Sequence, residues 1–188
     1  VKTVAGCNGL IADFSPKPLT DKPGNGFHIN ISAKADDDSD YLHLIIAGIL
    51  EKVCDMTLFL NPLNCSYQRF GNDKAPQYIS WSSENRSQLI RIPAAVGKYR
   101  RAELRSPDPT ANSYLAFALL IYAGLYGIQN HLQLAEPTDI DLYKADADVL
   151  SKLKMLPTSL RDACESALNS EFIKQHIPTK ILEIYCNR

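Results

Sequence analysis

Between Ser39 and Phe59, the residues Leu42, Ile45, Ile46, Ile49, Leu50, Val53 and Met56 recur at spacings of three and four. That period places them on one face of a helix, so a helix over about 39–59 is predicted, with a stripe that must be buried against another layer. Asn61 and Pro62 end it, because proline lacks an amide hydrogen and disfavours the helical conformation in the residue before it. A second apolar run, Ala111 to Ile128, predicts another helix of mostly small and aliphatic residues, too short and too polar at its ends for a membrane span.

The layer that these helices cover should be a sheet. Asn8 to Phe14, Gly26 to Ala33, Gln77 to Trp81, Gln88 to Ile92 and Arg101 to Arg105 read as strands, and Asn61 to Ala75, rich in Asn, Gly and Pro, reads as a loop. Texture changes between Leu134 and Asp139, after which Asp146 to Met155, Ser159 to Asn169 and Glu171 to Tyr185 are amphipathic helical candidates. The expected class is α+β: residues 1–134 carry the sheet, the long helices and the site, and 135–188 form a helical extension.

With 45% hydrophobic and 22% charged residues the chain has the composition of an ordinary globular protein, and a net charge of −1 gives no basic excess for nucleic acid or an anionic membrane. Cys7, Cys54, Cys65, Cys164 and Cys186 are odd in number, widely spread and lack a Cys-x-x-Cys pair. Neither a disulfide framework nor a thiolate zinc site is indicated, and reduced thiols in a cytoplasmic protein fit this usage. The sequence opens on Val1 and reads as a piece of a longer protein.

Charge is concentrated where strands are expected. Six of the eight arginines, Arg69, Arg86, Arg91, Arg100, Arg101 and Arg105, fall in one stretch. Burying several guanidiniums together is costly unless anions neutralise them, so this density points to a bound polyanion or carboxylate. Alternation along a strand puts His28, Asn30 and Ser32 on one face and Phe27, Ile29 and Ile31 on the other. It likewise groups Arg101, Glu103 and Arg105, with Ala102 and Leu104 turned to the core. Either set could be a solvated strand face. The functional alternative makes His28 and Glu103 ligands of a hard divalent cation, with arginines gripping phosphate or carboxylate oxygens. On a strict strand Arg86 and Arg91 would face opposite ways, so their joint action requires a bulge or that Arg86 belong to the preceding turn. No Gly-rich phosphate loop of either common kind is present.

In one order along the chain stand Pro16-Lys17-Pro18, Gly26-Phe27-His28, Asn85-Arg86-Ser87 with Ile90-Arg91-Ile92-Pro93, Glu103-Leu104-Arg105 with Pro107-Asp108-Pro109 and Asn112, and Tyr114-Leu115-Ala116-Phe117-Ala118. Together these segments resemble the catalytic domain of glutamine synthetases of the type I-like form, over nearly the whole chain. The resemblance implies a curved antiparallel sheet backed by helices, as in the glutamine synthetase and guanido kinase catalytic domains. It also implies a two-step reaction in which ATP phosphorylates the side-chain carboxylate of glutamate and ammonium supplies the nitrogen that displaces phosphate.

Carried over by position, the resemblance implies that His28 and Glu103 bind Mg2+ or Mn2+ and that Asn30, Ser32, Arg86, Arg91, Lys98 and Arg101 contact ATP. Gly24, Arg69 and Arg105 would hold glutamate. Arg86 also counts among the catalytic positions, together with Lys74 and Asp73. Lys74 precedes Ala75-Pro76 where the family usually has a flap glutamate that helps deprotonate ammonium, and Asp73 stands one residue earlier. The lysine makes an organic amine an alternative nucleophile, and a non-catalytic nucleotide- or amino-acid-binding relative a further reading. Tyr143 resembles a tyrosine that some bacterial members adenylylate, although an exposed loop tyrosine would look the same. The family implies a homo-oligomer of stacked rings with shared active sites, and a piece such as this, lacking the remaining carboxylates, is expected to be inactive alone.

Overall fold

The computed structural model describes residues 1–34, 40–72, 75–94 and 100–187. Its centre is a helix pair on a small sheet. Helix α2 (Leu42–Leu60) is the predicted striped helix, and Ile46, Ile49, Val53 and Met56 are fully buried. Each such side chain contributes about 1.5–3 kcal/mol by leaving water. It follows α1 (Lys2–Cys7) and is succeeded by the one-turn α3 (Asn64–Tyr67), which lies inside the expected loop. Helix α4 (Ser113–Gln129) starts where Asn112 caps it, its side-chain oxygen accepting from the amides of Tyr114 at 3.0 Å and Leu115 at 3.3 Å.

Small residues let α2 and α4 pack closely. A Cβ on Gly48 would lie 2.1 Å from the Ala123 carbonyl oxygen, and one on Gly127 would lie 2.0 Å from that of Leu44. Both distances are impossible for a side chain, so the glycines set the spacing of the two helices.

The sheet runs β1 (Ile29–Ile31), β4 (Ala102–Leu104), β3 (Ile90–Arg91), β2 (Trp81–Ser82) in spatial order. The β1–β4 and β4–β3 pairs are antiparallel, while the edge strand β2 joins β3 in parallel. Register sorts the side chains into two rows. Ile29, Leu104, Ile90 and Trp81 pair across the strands, and the first three are buried in the core beneath. The next row, Asn30, Glu103, Arg91 and Ser82, is polar throughout.

The part after residue 134 is tied to the sheet. The Thr138 amide donates to the Trp81 carbonyl at 2.8 Å, the Ser82 hydroxyl to Asp139 at 2.5 Å and the Gln88 side-chain amide to the Ile140 carbonyl at 2.8 Å. Helices α5 (Ala147–Leu150), α6 (Leu160–Asn169), α7 (Glu171–His176) and α8 (Thr179–Cys186) follow, and α6 and α7 pack on α2.

Three sequence expectations need correction. Asn8 to Phe14 forms no strand: Asn8 and Gly9 close the end of α1, with Gly9 at φ +69°, and no described residue pairs with the stretch beyond. The helix expected over Asp146 to Met155 contracts to α5, because the backbone further on bonds outside it. The Ile79 amide donates to the Lys154 carbonyl and the Leu156 amide to that of Gln77, around a bridge between Tyr78 and Met155. The helix expected over Glu171 to Tyr185 is divided into α7 and α8 at Pro178, which holds the preceding Ile177 in an extended conformation.

Candidate active site

The polar row of the sheet gathers the predicted residues around Glu103. Alternation puts Glu103 on the face away from the core because Ala102 and Leu104, its neighbours, are fully buried. Asn30 is its register partner on β1 and Arg91 its partner on β3. One carboxylate oxygen lies 3.0 Å from Nδ1 of His28, and the other lies 3.1 Å from both Arg105 and Nε of Arg91. The Arg105 contact is a hydrogen bond. The Arg91 contact is an ion pair without hydrogen-bond alignment, since Nε has no hydrogen-bond partner.

Electrostatics fixes the protonation states. Burial alone would raise the pKa of Glu103, but Arg105, Arg91 and His28 outweigh it and hold the carboxyl below its ordinary value. His28 is pushed below its ordinary value by burial and by Arg105, against the pull of Glu103. At neutral pH the pair is therefore a carboxylate beside a neutral imidazole, a hydrogen bond rather than an ion pair. An ionised carboxylate only accepts, so Nδ1 must carry the hydrogen, and Nε2 keeps its lone pair. That is the arrangement by which a carboxylate orients a metal-binding histidine.

Nε2 faces a tight corner. A Cβ on Gly26 would stand 3.3 Å from it and 3.7 Å from a terminal nitrogen of Arg69, so Gly26 separates the two. Gly24 is equally constrained: a Cβ there would lie 2.4 Å from the Pro16 carbonyl oxygen and 2.8 Å from Cγ of Arg69. Arg69 itself is only 3% exposed. Its NH1 donates to the Asn61 side chain and the Ser106 carbonyl, both at 3.2 Å, and its NH2 donates to the Pro107 carbonyl at 3.3 Å. One hydrogen of NH2 is left over by these contacts. The anion beside it is Asp108, fully buried, with Oδ2 at 3.7 Å and Oδ1 accepting from the amide and hydroxyl of Thr110. Asp108 stands in the Pro107-Asp108-Pro109 segment, but its partnership with Arg69 was not read from the sequence. The signal available was the rule that a buried arginine needs a buried anion.

The other predicted positions spread outward. Arg101 donates from Nε to the Asn30 side-chain oxygen at 3.2 Å, and Ser32 is exposed beyond the end of β1. Arg86 lies exposed in the turn before β3, the second of the two placements expected to let it act with Arg91. Asp73, Lys74 and Lys98 lie outside the described residues. Tyr143 is exposed in the loop before α5.

His28 and Glu103 are right in kind for a divalent cation and too few to hold it. Among the described residues no third His, Cys, Asp or Glu joins them. A cavity of about 580 Å³ opens between β1 and α4, lined by His28, Asn30 and Ser32 together with Phe27, Ile45, Phe117, Leu120, Ile121 and Leu125. It therefore adjoins the polar row, with apolar side chains making up most of its wall.

A sheet-borne carboxylate flanked by an imidazole and several guanidiniums is a site for metal-bound or anionic ligands. Residues 1–188 match the family described as glutamine synthetase, catalytic domain. Glutamine synthetases of Methanosarcina mazei and Staphylococcus aureus are 37% and 35% identical to it, over 98% and 100% of this chain and 45% of each relative. The fold aligns with a GmaS/ADP complex at a TM-score of 0.83 and 27% identity, over 99% of this chain and 46% of that one. The chain belongs to the glutamine synthetase family, as part of its catalytic domain. It spans less than half the length of these relatives.

Proposed function

We propose that the protein carrying this chain is an ATP-dependent ligase that activates the side-chain carboxylate of glutamate as an acyl phosphate and passes the acyl group to ammonium. The observation that supports it most directly is Glu103, held between His28, Arg91 and Arg105 in a chain that the family matches from end to end.

Such a reaction must spread and neutralise charge on the transferring phosphoryl group, then keep water from the acyl phosphate. Arg91 and Arg101 stand along one sheet face, with Arg86 in the adjoining turn, and supply guanidiniums toward phosphate oxygens. Asn30 and Ser32 offer neutral donors and acceptors beside them. Arg105, and the remaining NH2 hydrogen of Arg69 near Gly24 and Gly26, fit a substrate carboxylate. Nε2 of His28 and Glu103 would provide two ligands to Mg2+ or Mn2+, which when bound neutralises phosphate charge. The described residues supply no further carboxylate or imidazole ligand, so the family's other parts must provide them. That requirement supports a homo-oligomer with shared sites and an inactive isolated chain. Lys98, Lys74 and Asp73 complete the proposed positions.

Lys74 favours a second reading, because a cation at the flap position repels ammonium. On that reading the nucleophile is an organic amine and the product a γ-glutamyl amide. The deciding measurement is phosphate release by the full-length protein with ATP, glutamate and either ammonium or a primary alkylamine. Release with ammonium supports the first reading, release with the amine alone supports the second, and none with either supports a non-catalytic binding protein.

A further inference from the structure

Arg69 and the segment that carries His28 are anchored on one atom. The Pro107 carbonyl accepts from the Phe27 amide at 2.8 Å and from NH2 of Arg69 at 3.3 Å. NH2 stands at the corner of Gly26, with Nε2 of His28 on the other side of that residue, and it keeps one hydrogen beyond its bond to Pro107. What remains free is the rotation of the guanidinium about the shared carbonyl, and NH1 removes it by donating to the Ser106 carbonyl and to the Asn61 side-chain oxygen, both at 3.2 Å. Ser106 and Pro107 act through their backbone, which any residue supplies. Among the described residues, Asn61 is the one side chain that accepts a hydrogen bond from Arg69. We propose that Asn61 is a positioning residue for the glutamate substrate: its side-chain oxygen locks the Arg69 guanidinium so that the spare NH2 hydrogen is presented to a carboxylate at the Gly26 corner. The proposal rests on the reading of Arg69 as a glutamate ligand.

An asparagine at this point is destabilising in itself. Asn61 is 0% exposed and its side-chain nitrogen has no hydrogen-bond partner, and a buried donor left unpaired costs free energy. Closing helix α2 does not require it, because there Asn61 uses only its backbone amide, which donates to the Thr57 carbonyl at 2.8 Å. An alanine or leucine would close the helix without the unpaired nitrogen. The side-chain oxygen is therefore kept for NH1.

The frame around this bond is stiff. The Asp108 amide donates to the Leu60 carbonyl at 3.2 Å, which ties the segment carrying Ser106 and Pro107 to the end of α2, and Gly24 hems in the arginine stem. An arginine held this way has little freedom left to lose when a carboxylate arrives. Without the Asn61 oxygen, one NH1 hydrogen is unpaired beside a competing acceptor: Oδ2 of Asp108 lies 3.7 Å from NH1 and has no hydrogen-bond partner of its own. Asn61 thus holds the guanidinium head off Asp108 and toward the Gly26 corner.

The test compares full-length wild type with Asn61→Ala, which deletes the acceptor, and Asn61→Asp, which keeps an oxygen in its place and gives up only the unpartnered nitrogen. Calorimetry gives Kd for glutamate and, separately, for ATP. Asn61→Ala should weaken glutamate by about 10-fold or more and leave ATP within about twofold of wild type, and Asn61→Asp should recover most of the loss. An asparagine that served stability alone would lower the binding stoichiometry through the unfolded fraction and leave both Kd values where they were. That result, a parallel loss of glutamate and ATP, or an Asn61→Asp no better than Asn61→Ala overturns the proposal. If Asn61→Ala does not fold, wild-type structures with and without glutamate decide: Arg69 must keep its bond to Asn61 in both, and an NH1 that leaves Asn61 when glutamate binds overturns the proposal. Absence of glutamate binding by the wild type would overturn the reading of Arg69 as a glutamate ligand, and this proposal with it.

Discussion

Two arginine–carboxylate groups stand a few residues apart and are built on opposite principles. Arg69 and Asp108 are 3% and 0% exposed, and Arg69 spends most of its donors on Asn61 and the carbonyls of Ser106 and Pro107. Glu103, with Arg91 and Arg105, lies at the surface of the sheet beside an imidazole that is 37% exposed, and Nε of Arg91 and of Arg105 has no hydrogen-bond partner. The first group is closed to solvent, and even so Oδ2 of Asp108 and the side-chain nitrogen of Asn61 have no hydrogen-bond partner. The second is reached by solvent at His28 and Arg91, while Arg105 is 4% exposed. An arginine–carboxylate pair is thus read by how far solvent reaches it, not by its charge alone.

Removing one partner should break each group differently. Asp108→Ala leaves a buried guanidinium without its counter-charge, and a loss of about 3–5 kcal/mol is expected in urea unfolding. A loss below about 1 kcal/mol would mean that the carbonyls alone neutralise Arg69. Glu103→Gln is expected to cost less than Asp108→Ala in the same assay, about 1–3 kcal/mol, because solvent reaches His28 and Arg91 and a glutamine oxygen can still accept from Arg105. On the proposed function it should lower kcat/KM of the full-length protein by about 100-fold or more, since it removes the group that orients His28 and one of the two proposed metal ligands. The comparison inverts if Glu103→Gln unfolds the protein and Asp108→Ala spares it.

Titration separates the groups further. Glu103 has a folded pKa below its ordinary 4.5, so it contributes stability that is present above 4.5 and disappears as pH falls through the folded value. His28 also has a lowered folded pKa, from 6.5, so its loss begins earlier, as the unfolded chain takes up protons below 6.5. Urea midpoints between pH 7 and 3 should show a steeper fall for wild type than for His28→Asn below 6.5, and than for Glu103→Gln below 4.5. Parallel curves would remove both groups from the pH response. The smallest effect belongs to Arg86→Ala, whose exposed side chain should leave stability within about 0.5 kcal/mol of wild type, while the ligase activity proposed for the full-length protein should fall.

What could be read in advance followed from local periodicity. The stripe from Leu42 to Met56 places α2 almost to its ends, and the alternation Arg101, Glu103, Arg105 against Ala102, Leu104 orients β4 as observed. Pairing is not local, and there the sequence misled. Asn8 to Phe14 has the composition of a strand, but a strand exists only with a neighbour, and none of the described residues provides one. The parallel entry of β2 and the bridge that ends α5 at Leu150 depend equally on distant partners. At the site, Glu103 and His28 were legible as one face of each strand. The closure of Arg69 was not, because its partners Ser106, Pro107 and Asp108 lie 37 to 39 residues further along the chain.

Trp81 is the sole tryptophan of the chain, and its position has a use. Its indole nitrogen donates to the Ala135 carbonyl at 2.6 Å, its own carbonyl accepts from Thr138, and the His43 ring lies 6.2 Å away. The indole thus sits where the sheet meets the segment leading into the later helices. Its emission is a natural optical gauge of that seam: a red shift that precedes loss of helical circular dichroism on unfolding would report the seam parting first, with no dye attached and no label introduced.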